Sequence, residues 1–236
     1  MYKSFYVENF DNYSNESFIN LNDYSDKRKK INKYFLNDFV NNINNNKATI
    51  SGDDIIEKFF PENKYDIFLS YAHSDNNKVI NLANFLEKEY EYKVFVDSIL
   101  WGNIYELLKE IDKICCLNSD GNYDYDKRNF TTSNLFLILS AALHKMIEKS
   151  DYFFFLETKQ SINENKKLIS PWIYSELSFA TQVKRGDEPE NKLFEKATFN
   201  IENLNEGRPI TEFVYSIPHL DYTLSYEEFS KLINDD

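Results

Sequence analysis

The sequence predicts an α/β fold in which helices cover a central parallel sheet. Three short apolar runs, at residues 65–70, 92–96 and 151–157, have the length and composition of strands buried on both faces. Segments with helical periodicity separate these runs, and a strand, a helix and a strand within about thirty residues form a βαβ unit with parallel strands. This alternation of strands and helices is typical of layered α/β proteins.

Helical periodicity accounts for the segments between the apolar runs. Ser74 or Asp75 caps a helix after the first run, and further helices are expected from Gly102 onward and from about Ser133 to Lys149. Their inward faces follow the i, i+3, i+4, i+7 spacing. These faces comprise Val79, Leu82, Ala83 and Leu86 in the first helix, Ile104, Leu107, Leu108 and Ile111 in the second, and Leu139, Ala142, Leu143 and Met146 in the third.

Two parts of the chain give weaker or different signals. Residues 115–132 are rich in turn-forming and charged residues and are expected to form a surface insertion. Near the C-terminus, residues 194–201 and 210–217 are strand candidates. Ser225 and Glu228 have the spacing of a capping box, which predicts a last helix.

The first part of the chain differs in composition from the rest. Residues 1–60 are polar and rich in tyrosine and asparagine, and they are interpreted as a partly helical N-terminal extension. A helix is expected near residues 25–44, and a shorter one is expected to begin at Ser51 and to end before Pro61. The α/β domain is expected to span residues 61–236.

Composition excludes several classes of function. A net charge of −12 and a pI near 4.8 argue against a general nucleic-acid binder, since such binding depends on Lys and Arg. Only five glycines are present, and neither GxGxxG nor a P-loop occurs. Cys115 and Cys116 are adjacent and are expected to be reduced thiols, and no Cys/His spacing suggests a metal site. No apolar stretch approaches the ~18 residues of a membrane span, so a cytoplasmic protein is expected.

Glu176 occupies an unusual position on a predicted helix. Ser170 is a suitable N-cap, and Pro171 suits the first helical position because its missing N–H is not needed there. At about 100° per residue, Glu176 falls on the apolar half of this helix, one turn after Trp172. No Lys or Arg stands three or four residues away to pair with it. A carboxylate in such a stripe is a candidate functional group, and a half-exposed position at the edge of the stripe is the alternative.

Further polar side chains follow the predicted strands, where open parallel sheets bind ligands. They are Ser70, Tyr71 and His73 after the first strand, Asp97 and Ser98 after the second, and the helix with Glu176 after the third. Trp101 and Tyr105 can stack on a base or pack the loop onto the helices, and Trp172 can line a pocket or the core. Asp97 can also cap the following turn.

These residues carry a resemblance to a known family. KYDIFLSYAHSD, KVFVDSILWGN, SDYFFFLETKQSI and SPWIYSEL, in this order, resemble the bacterial TIR (Toll/interleukin-1 receptor-like) domain, whose W-x-x-x-E element corresponds to Trp172 and Glu176. The resemblance covers roughly residues 62–185. It implies a flavodoxin-like three-layer sandwich with a central parallel sheet. The family often has a basic residue in the first loop, where this chain has Ala72 and His73.

The resemblance also implies an activity. By motif, Glu176 matches the glutamate of TIR domains that cleave the nicotinamide–ribose bond of NAD+, as glycohydrolases or ADP-ribosyl cyclases. NAD+ is then a substrate, and no cofactor or metal is expected. The transition state resembles an oxocarbenium ion, which one carboxylate can stabilise. Similarity to the TIR component of Thoeris anti-phage systems implies self-association and a nucleotide product that signals to an effector protein.

Three other functions stay open on the sequence alone. A non-catalytic TIR adaptor that works by self-association has equal support from the resemblance. A nucleoside-processing transferase on a similar sheet is a second alternative. A nuclease has the least support because the chain is acidic and shows no cluster of carboxylates at one strand end.

Overall fold

The computed structural model of the chain describes residues 2–13, 51–60, 64–97, 105, 107–183 and 213–234, which contain a five-stranded sheet. The strands are β1 Lys3–Val7, β2 Ile67–Ser70, β3 Val94–Val96, β4 Tyr152–Leu156 and β5 Tyr222–Leu224. Their order is β3-β2-β4-β1-β5, and every neighbouring pair is parallel. The predicted parallel sheet is thereby confirmed, with strands in all three predicted apolar runs.

Helices pack on both faces of this sheet. The α-helices are α1 Gly52–Phe59, α2 Asn76–Glu89, α3 Tyr125–Lys149, α4 Pro171–Ala180 and α5 Tyr226–Asn234. Short 3-10 turns occur at Phe10–Asn12 and His73–Asp75, and helical residues 107–111 lead into a π-helical turn, Asp112–Cys116. The π-helical turn ends in two free thiols, Cys115 exposed and Cys116 buried.

The alternation of side chains along β4 separates two cores. Phe153 and Phe155 point into a core that contains residues of α1, α3 and α4. Phe154 and Leu156 point into the opposite core, which contains residues of α2 and α5. Successive residues of a strand face opposite sides of a sheet, so a continuous apolar run is what a strand covered on both faces requires.

β1 is a strand that the sequence analysis did not predict. It lies between β4 and β5, so residues 3–7, interpreted as part of an extension, belong to the sheet. The polar Ser4 is buried there because the Asp221 carboxylate accepts its backbone N–H at 2.8 Å and its hydroxyl at 2.7 Å. That partner is 217 residues away, which no local pattern reveals. The helix expected near residues 25–44 lies outside the described residues.

α3 begins earlier than expected. It starts at Tyr125 rather than near Ser133, and the Asp124 side chain caps it by accepting the Lys127 N–H at 3.0 Å. The second half of the expected insertion, residues 125–132, is therefore helical, although most of the segment is exposed as predicted. By length and composition α3 is the one described helix that can cross a membrane, with a third of its most apolar window buried in the protein.

The C-terminal part agrees only partly with the predictions. Residues 194–201 lie outside the described part, and within 210–217 the described residues form one antiparallel bridge, between Tyr215 and Leu168. The last strand is instead β5, at an edge of the sheet. The predicted helix start at Ser51 and the predicted capping box before α5 are confirmed, because the Ser51 side chain accepts the Asp54 N–H and Ser225 and Glu228 exchange capping hydrogen bonds.

Candidate functional site

The inward face of α4 carries a buried carboxyl group. Ser170 caps the helix by accepting the Ile173 N–H at 3.3 Å, and Pro171 occupies the first turn. The buried positions are Ile173, Glu176, Leu177 and Ala180, which follow the spacing of a helix face packed on a core. Glu176 is 2% exposed. The edge-of-stripe alternative is therefore wrong, and Glu176 lies in the stripe itself.

One oxygen of this carboxyl group is held and the other is not. The Ser70 hydroxyl, at the end of β2, donates to Glu176 Oε2 at 2.6 Å. Glu176 Oε1 is buried and has no hydrogen-bond partner among the residues that the structure describes. A buried polar atom without a partner is costly, at about 1–3 kcal/mol, and it is uncommon in folded proteins. Glu176 Oε1 therefore keeps an acceptor capacity that no described group uses.

A cleft of about 470 Å³ opens at Glu176, at the carboxyl end of the sheet. Its walls come from the loop after β2, from Asp97 after β3, from the loop after β4 and from the first turns of α4. The lining residues are Tyr71, Ala72, His73, Ser74, Asp97, Tyr105, Gln160, Ile169, Ser170, Pro171, Trp172, Ile173 and Glu176. Its size fits a small organic molecule.

Burial and charge both act on Glu176. Desolvation and, next, the charge of Asp97 raise the pKa of Glu176 well above its ordinary value, against the hydrogen bond from Ser70, which lowers it. Glu176 therefore retains a proton into a higher pH range than a free carboxyl group does. A cation in the cleft favours the ionised form, since an opposite charge nearby lowers the pKa of a carboxyl group.

The remaining predicted residues divide into three groups. Tyr71, His73, Asp97, Tyr105 and Trp172 all line the cleft, as Glu176 does. Ser70 is fully buried and lies behind Glu176 rather than on the cleft wall, so its contact is with the carboxyl group. Ser98 and Trp101 lie outside the described residues.

Aromatic rings and an imidazole shape the cleft. Trp172 packs edge-to-face on Phe136 of α3, with ring centroids 5.3 Å apart, and is only partly buried. Tyr105 is 54% exposed. Desolvation lowers the pKa of His73, so that its ring is neutral at pH 7. The cleft thus offers aromatic faces beside two acidic side chains.

A buried polar network supports the wall that follows β4. The Thr158 hydroxyl donates to Asp75 Oδ2 at 2.6 Å, and the Ser161 hydroxyl accepts the Thr158 N–H at 3.0 Å. Asp75 was predicted as a possible cap of α2, but its carboxylate makes no capping bond and binds Thr158 instead. The network joins the loop after β2 to the loop after β4.

The same loop has a second anchor at Glu157. This buried carboxylate accepts a hydrogen bond from the Tyr6 hydroxyl of β1 and forms an ion pair with Lys166 Nζ at 2.8 Å. Leu168, further along the loop, pairs with Tyr215 through two backbone hydrogen bonds of 2.9 Å. The cleft wall is therefore tied to the N-terminal strand and to the C-terminal part of the chain.

Sequence reasoning missed part of the cleft lining. Gln160 and Ser74 were not assigned to a site, although both follow a predicted strand at its carboxyl end. Gln160 could have been predicted as a site residue in the same way as Ser70 and Asp97, because the loop after residues 151–157 lies at the same edge of the sheet. The described residues contain no group of three or more His, Cys, Asp or Glu side chains placed to hold a metal ion.

The arrangement can stabilise positive charge. Two acidic side chains and aromatic faces meet in a partly enclosed cleft, and the carboxyl group of Glu176 is buried where water screens its field weakly. Comparison of the chain with protein-family models, with curated proteins and with solved structures found no match.

Proposed function

We propose that this chain is a TIR-like enzyme that cleaves the nicotinamide–ribose bond of NAD+, as a glycohydrolase or an ADP-ribosyl cyclase. The observation that carries the proposal is the buried, half-partnered carboxyl group of Glu176 in a cleft at the carboxyl end of a parallel sheet. Such a group is costly to keep for structural reasons alone. Its cost is offset when a cationic substrate binds.

The chemistry needs one carboxylate and no general acid. The bond between the ribose carbon C1′ and the pyridinium nitrogen breaks, and its electron pair neutralises the ring, which leaves as nicotinamide. The ribose becomes an oxocarbenium ion, which ionised Glu176 stabilises electrostatically. Water then adds to C1′ and loses a proton, which the carboxylate can accept. Attack by an adenine nitrogen in place of water gives a cyclic product.

The order of the strands supports a flavodoxin-like relationship. In flavodoxin-like sheets the order is 2-1-3-4-5, and ligands bind where the order reverses, between the first and third strands in sequence. Here β3-β2-β4 follows that pattern, and β1 takes the fourth place in the row. Glu176 and its cleft stand at the carboxyl end of β2, beside the reversal. In this interpretation β1 replaces a strand that usually comes later in the chain.

The primary test is NAD+ turnover by the purified full chain, with products separated by chromatography and identified by mass. Wild type is expected to release nicotinamide, and Glu176→Ala and Glu176→Gln are each expected to lose about 10²–10³-fold in kcat. Glu148→Gln, an exposed glutamate of α3, is the matched control and keeps wild-type turnover. Equal nicotinamide release by wild type and Glu176→Gln would remove Glu176 from the mechanism.

An exposed apolar surface of α3 favours a second function, a non-catalytic adaptor that self-associates. Tyr125, Phe130 and Leu137 are 70% or more exposed on this helix. Exposed apolar patches often mark protein–protein contacts. The adaptor predicts a concentration-dependent oligomer by light scattering that Phe130→Ser/Leu137→Ser dissociates, together with no turnover of NAD+. Turnover of NAD+ that depends on Glu176 would exclude a purely non-catalytic role. If the wild type turns over NAD+ and the Phe130→Ser/Leu137→Ser variant does not, self-association through α3 would be required for catalysis.

A further inference from the structure

We propose that the cleft selects its substrate by the cationic N-glycoside and makes no strong contact with the phosphates, so that nicotinamide riboside is cleaved nearly as well as NAD+. This inference rests on the proposed function and names the part of the substrate that the site recognises. Three observations carry it: the charges of the lining, the state of the nearby helix N-termini and the partners of the lysines beside the cleft.

The lining of the cleft is acidic. Among the described lining residues, Asp97 and Glu176 are the acidic members, none is Lys or Arg, and His73 is neutral at pH 7 because desolvation lowers its pKa. The intervening sequence 98–104 contains no Lys or Arg either. A pyridinium ring is attracted to such a lining, and its flat face can pack against exposed or partly exposed aromatic rings such as Tyr105 and Trp172. A diphosphate, with two negative charges, finds no counter-charge among the lining residues that the structure describes.

The helix N-termini at the cleft have few N–H groups to offer an anion. A helix N-terminus binds phosphate through its unpaired backbone N–H groups. In α4, Pro171 has no N–H, and the N–H groups of Ile173 and Tyr174 are bonded to the Oγ and carbonyl oxygen of Ser170. Before α2, the Asp75 N–H is bonded to the Ala72 carbonyl oxygen and the Asn76 N–H to that of His73.

Two of the lysines near this edge of the sheet already bind other groups. Lys78 Nζ, in the first turn of α2, donates to the Asp11 carbonyl oxygen at 3.0 Å. Lys166 Nζ pairs with Glu157 at 2.8 Å. The net charge of −12 adds a long-range field that repels phosphates and attracts cations. Recognition of the substrate therefore falls on its positive end.

The test compares nicotinamide release from NAD+, nicotinamide mononucleotide and nicotinamide riboside by the wild-type chain. We expect kcat/KM for the riboside to lie within about tenfold of the value for NAD+. A larger loss would overturn the inference while leaving the proposed function intact, because NAD+ would still be cleaved. Release of nicotinamide from none of the three would overturn both. Dihydronicotinamide riboside, a neutral analogue, is expected to compete at least tenfold more weakly than the cationic riboside does.

A gain-of-charge variant gives an independent readout. Gln160 is exposed on the cleft wall, so Gln160→Arg adds a cation beside the cleft without burying it. The ratio of kcat/KM for NAD+ to that for the riboside is expected to rise severalfold in this variant. Gln182→Arg adds the same charge at the far end of α4 and is expected to leave the ratio unchanged. An unchanged ratio in Gln160→Arg would contradict the inference that a missing counter-charge at the cleft sets the preference between the two substrates.

Discussion

The Ser70 hydroxyl donates to Glu176 Oε2 at 2.6 Å, and this bond joins the end of β2 to the inward face of α4 across 106 positions of sequence. It orients the carboxyl group so that Oε1 is the oxygen left without a partner among the described residues. Ser70 is therefore a positioning residue, which acts on the ligand through Glu176. The bond also stabilises the ionised form of the carboxyl group.

Loss of this bond is expected to shift the pH dependence of activity. The ascending limb of kcat/KM with pH reports ionisation of Glu176 in the free enzyme. Because the Ser70 hydrogen bond lowers the pKa of Glu176, Ser70→Ala raises that pKa and moves the limb to higher pH. Ser175→Ala, whose hydroxyl lies 3.0 Å from His144 Nε2, is the control and leaves the limb in place. If the ascending limb stays in place in Ser70→Ala, the Ser70 hydrogen bond does not influence the ionisation that the limb reports.

Removal of the neighbouring charge is expected to shift the limb the other way. The charge of Asp97 raises the pKa of Glu176, so Asp97→Asn lowers that pKa and moves the ascending limb to lower pH. The maximum value of kcat/KM can fall as well, but the pH at which the limb rises is measured independently of that maximum. Asp66→Asn, at the opposite end of β2, serves as the control. A shift to higher pH in Asp97→Asn would contradict the electrostatic account.

Glu176→Gln is expected to stabilise the fold at neutral pH although it lowers kcat. The folded protein holds a proton on Glu176 above the unfolded pKa of about 4.3, so stability falls as pH rises from there through the raised folded pKa. Glutamine does not titrate and avoids that loss. From the cost of an unsatisfied buried group, we expect the free energy of unfolding of Glu176→Gln to exceed that of the wild type by about 1–3 kcal/mol at pH 8. Near pH 4 we expect little difference between the two proteins.

This stability difference is measurable by urea unfolding of wild type and variant at both pH values. Glu148→Gln, on the exposed side of α3, is expected to stay within about 0.5 kcal/mol of wild type. A Glu176→Gln protein that is less stable than wild type at pH 8 would show that the carboxyl group contributes to the fold, and it would remove the argument that its burial serves a ligand.

The polar network behind the cleft wall is expected to contribute to stability. Thr158→Val removes the hydroxyl that donates to Asp75 Oδ2 and leaves a buried carboxylate oxygen without that donor. The expected cost is about 1–3 kcal/mol in the free energy of unfolding. Thr223→Val, at an exposed position of β5, is the matched control and changes stability by less than about 0.5 kcal/mol. Equal stability of the two variants would mean that Asp75 finds another donor.

The N-terminal residues are expected to be part of the folding unit. Phe10 is fully buried, stacked on Tyr13 with ring centroids 5.0 Å apart and edge-on to Phe229 of α5 at 6.3 Å. Phe10→Ala is therefore expected to cost about 3–5 kcal/mol, as truncation of a core phenylalanine does. Thermal unfolding measures this loss. A change below about 1 kcal/mol would indicate an N-terminal segment that the sheet does not need.

Local sequence was enough for those elements whose stabilising partners are close along the chain. The apolar runs at β2, β3 and β4 and the caps Ser51 and Ser225 predicted elements that the structure contains. Pro171 after Ser170 marked the start of α4, and helical spacing alone placed Glu176 among apolar residues. Hydrophobic periodicity and helix capping depend on residues close together in the sequence, so they can be recognised without knowledge of the fold.

Tertiary structure decided what depends on distant partners. β1 is a strand because β4 and β5 pair with it and Asp221 satisfies Ser4, and none of these contacts has a local signal. The same is true of the site, where Ser70, Asp97 and Glu176 come from three separate segments. Only the fold brings them together, so that one oxygen of Glu176 is hydrogen-bonded and the pKa of Glu176 is raised. Burial and charge act through space. The sequence alone therefore determined which side chains could form a site, and the fold determined their roles.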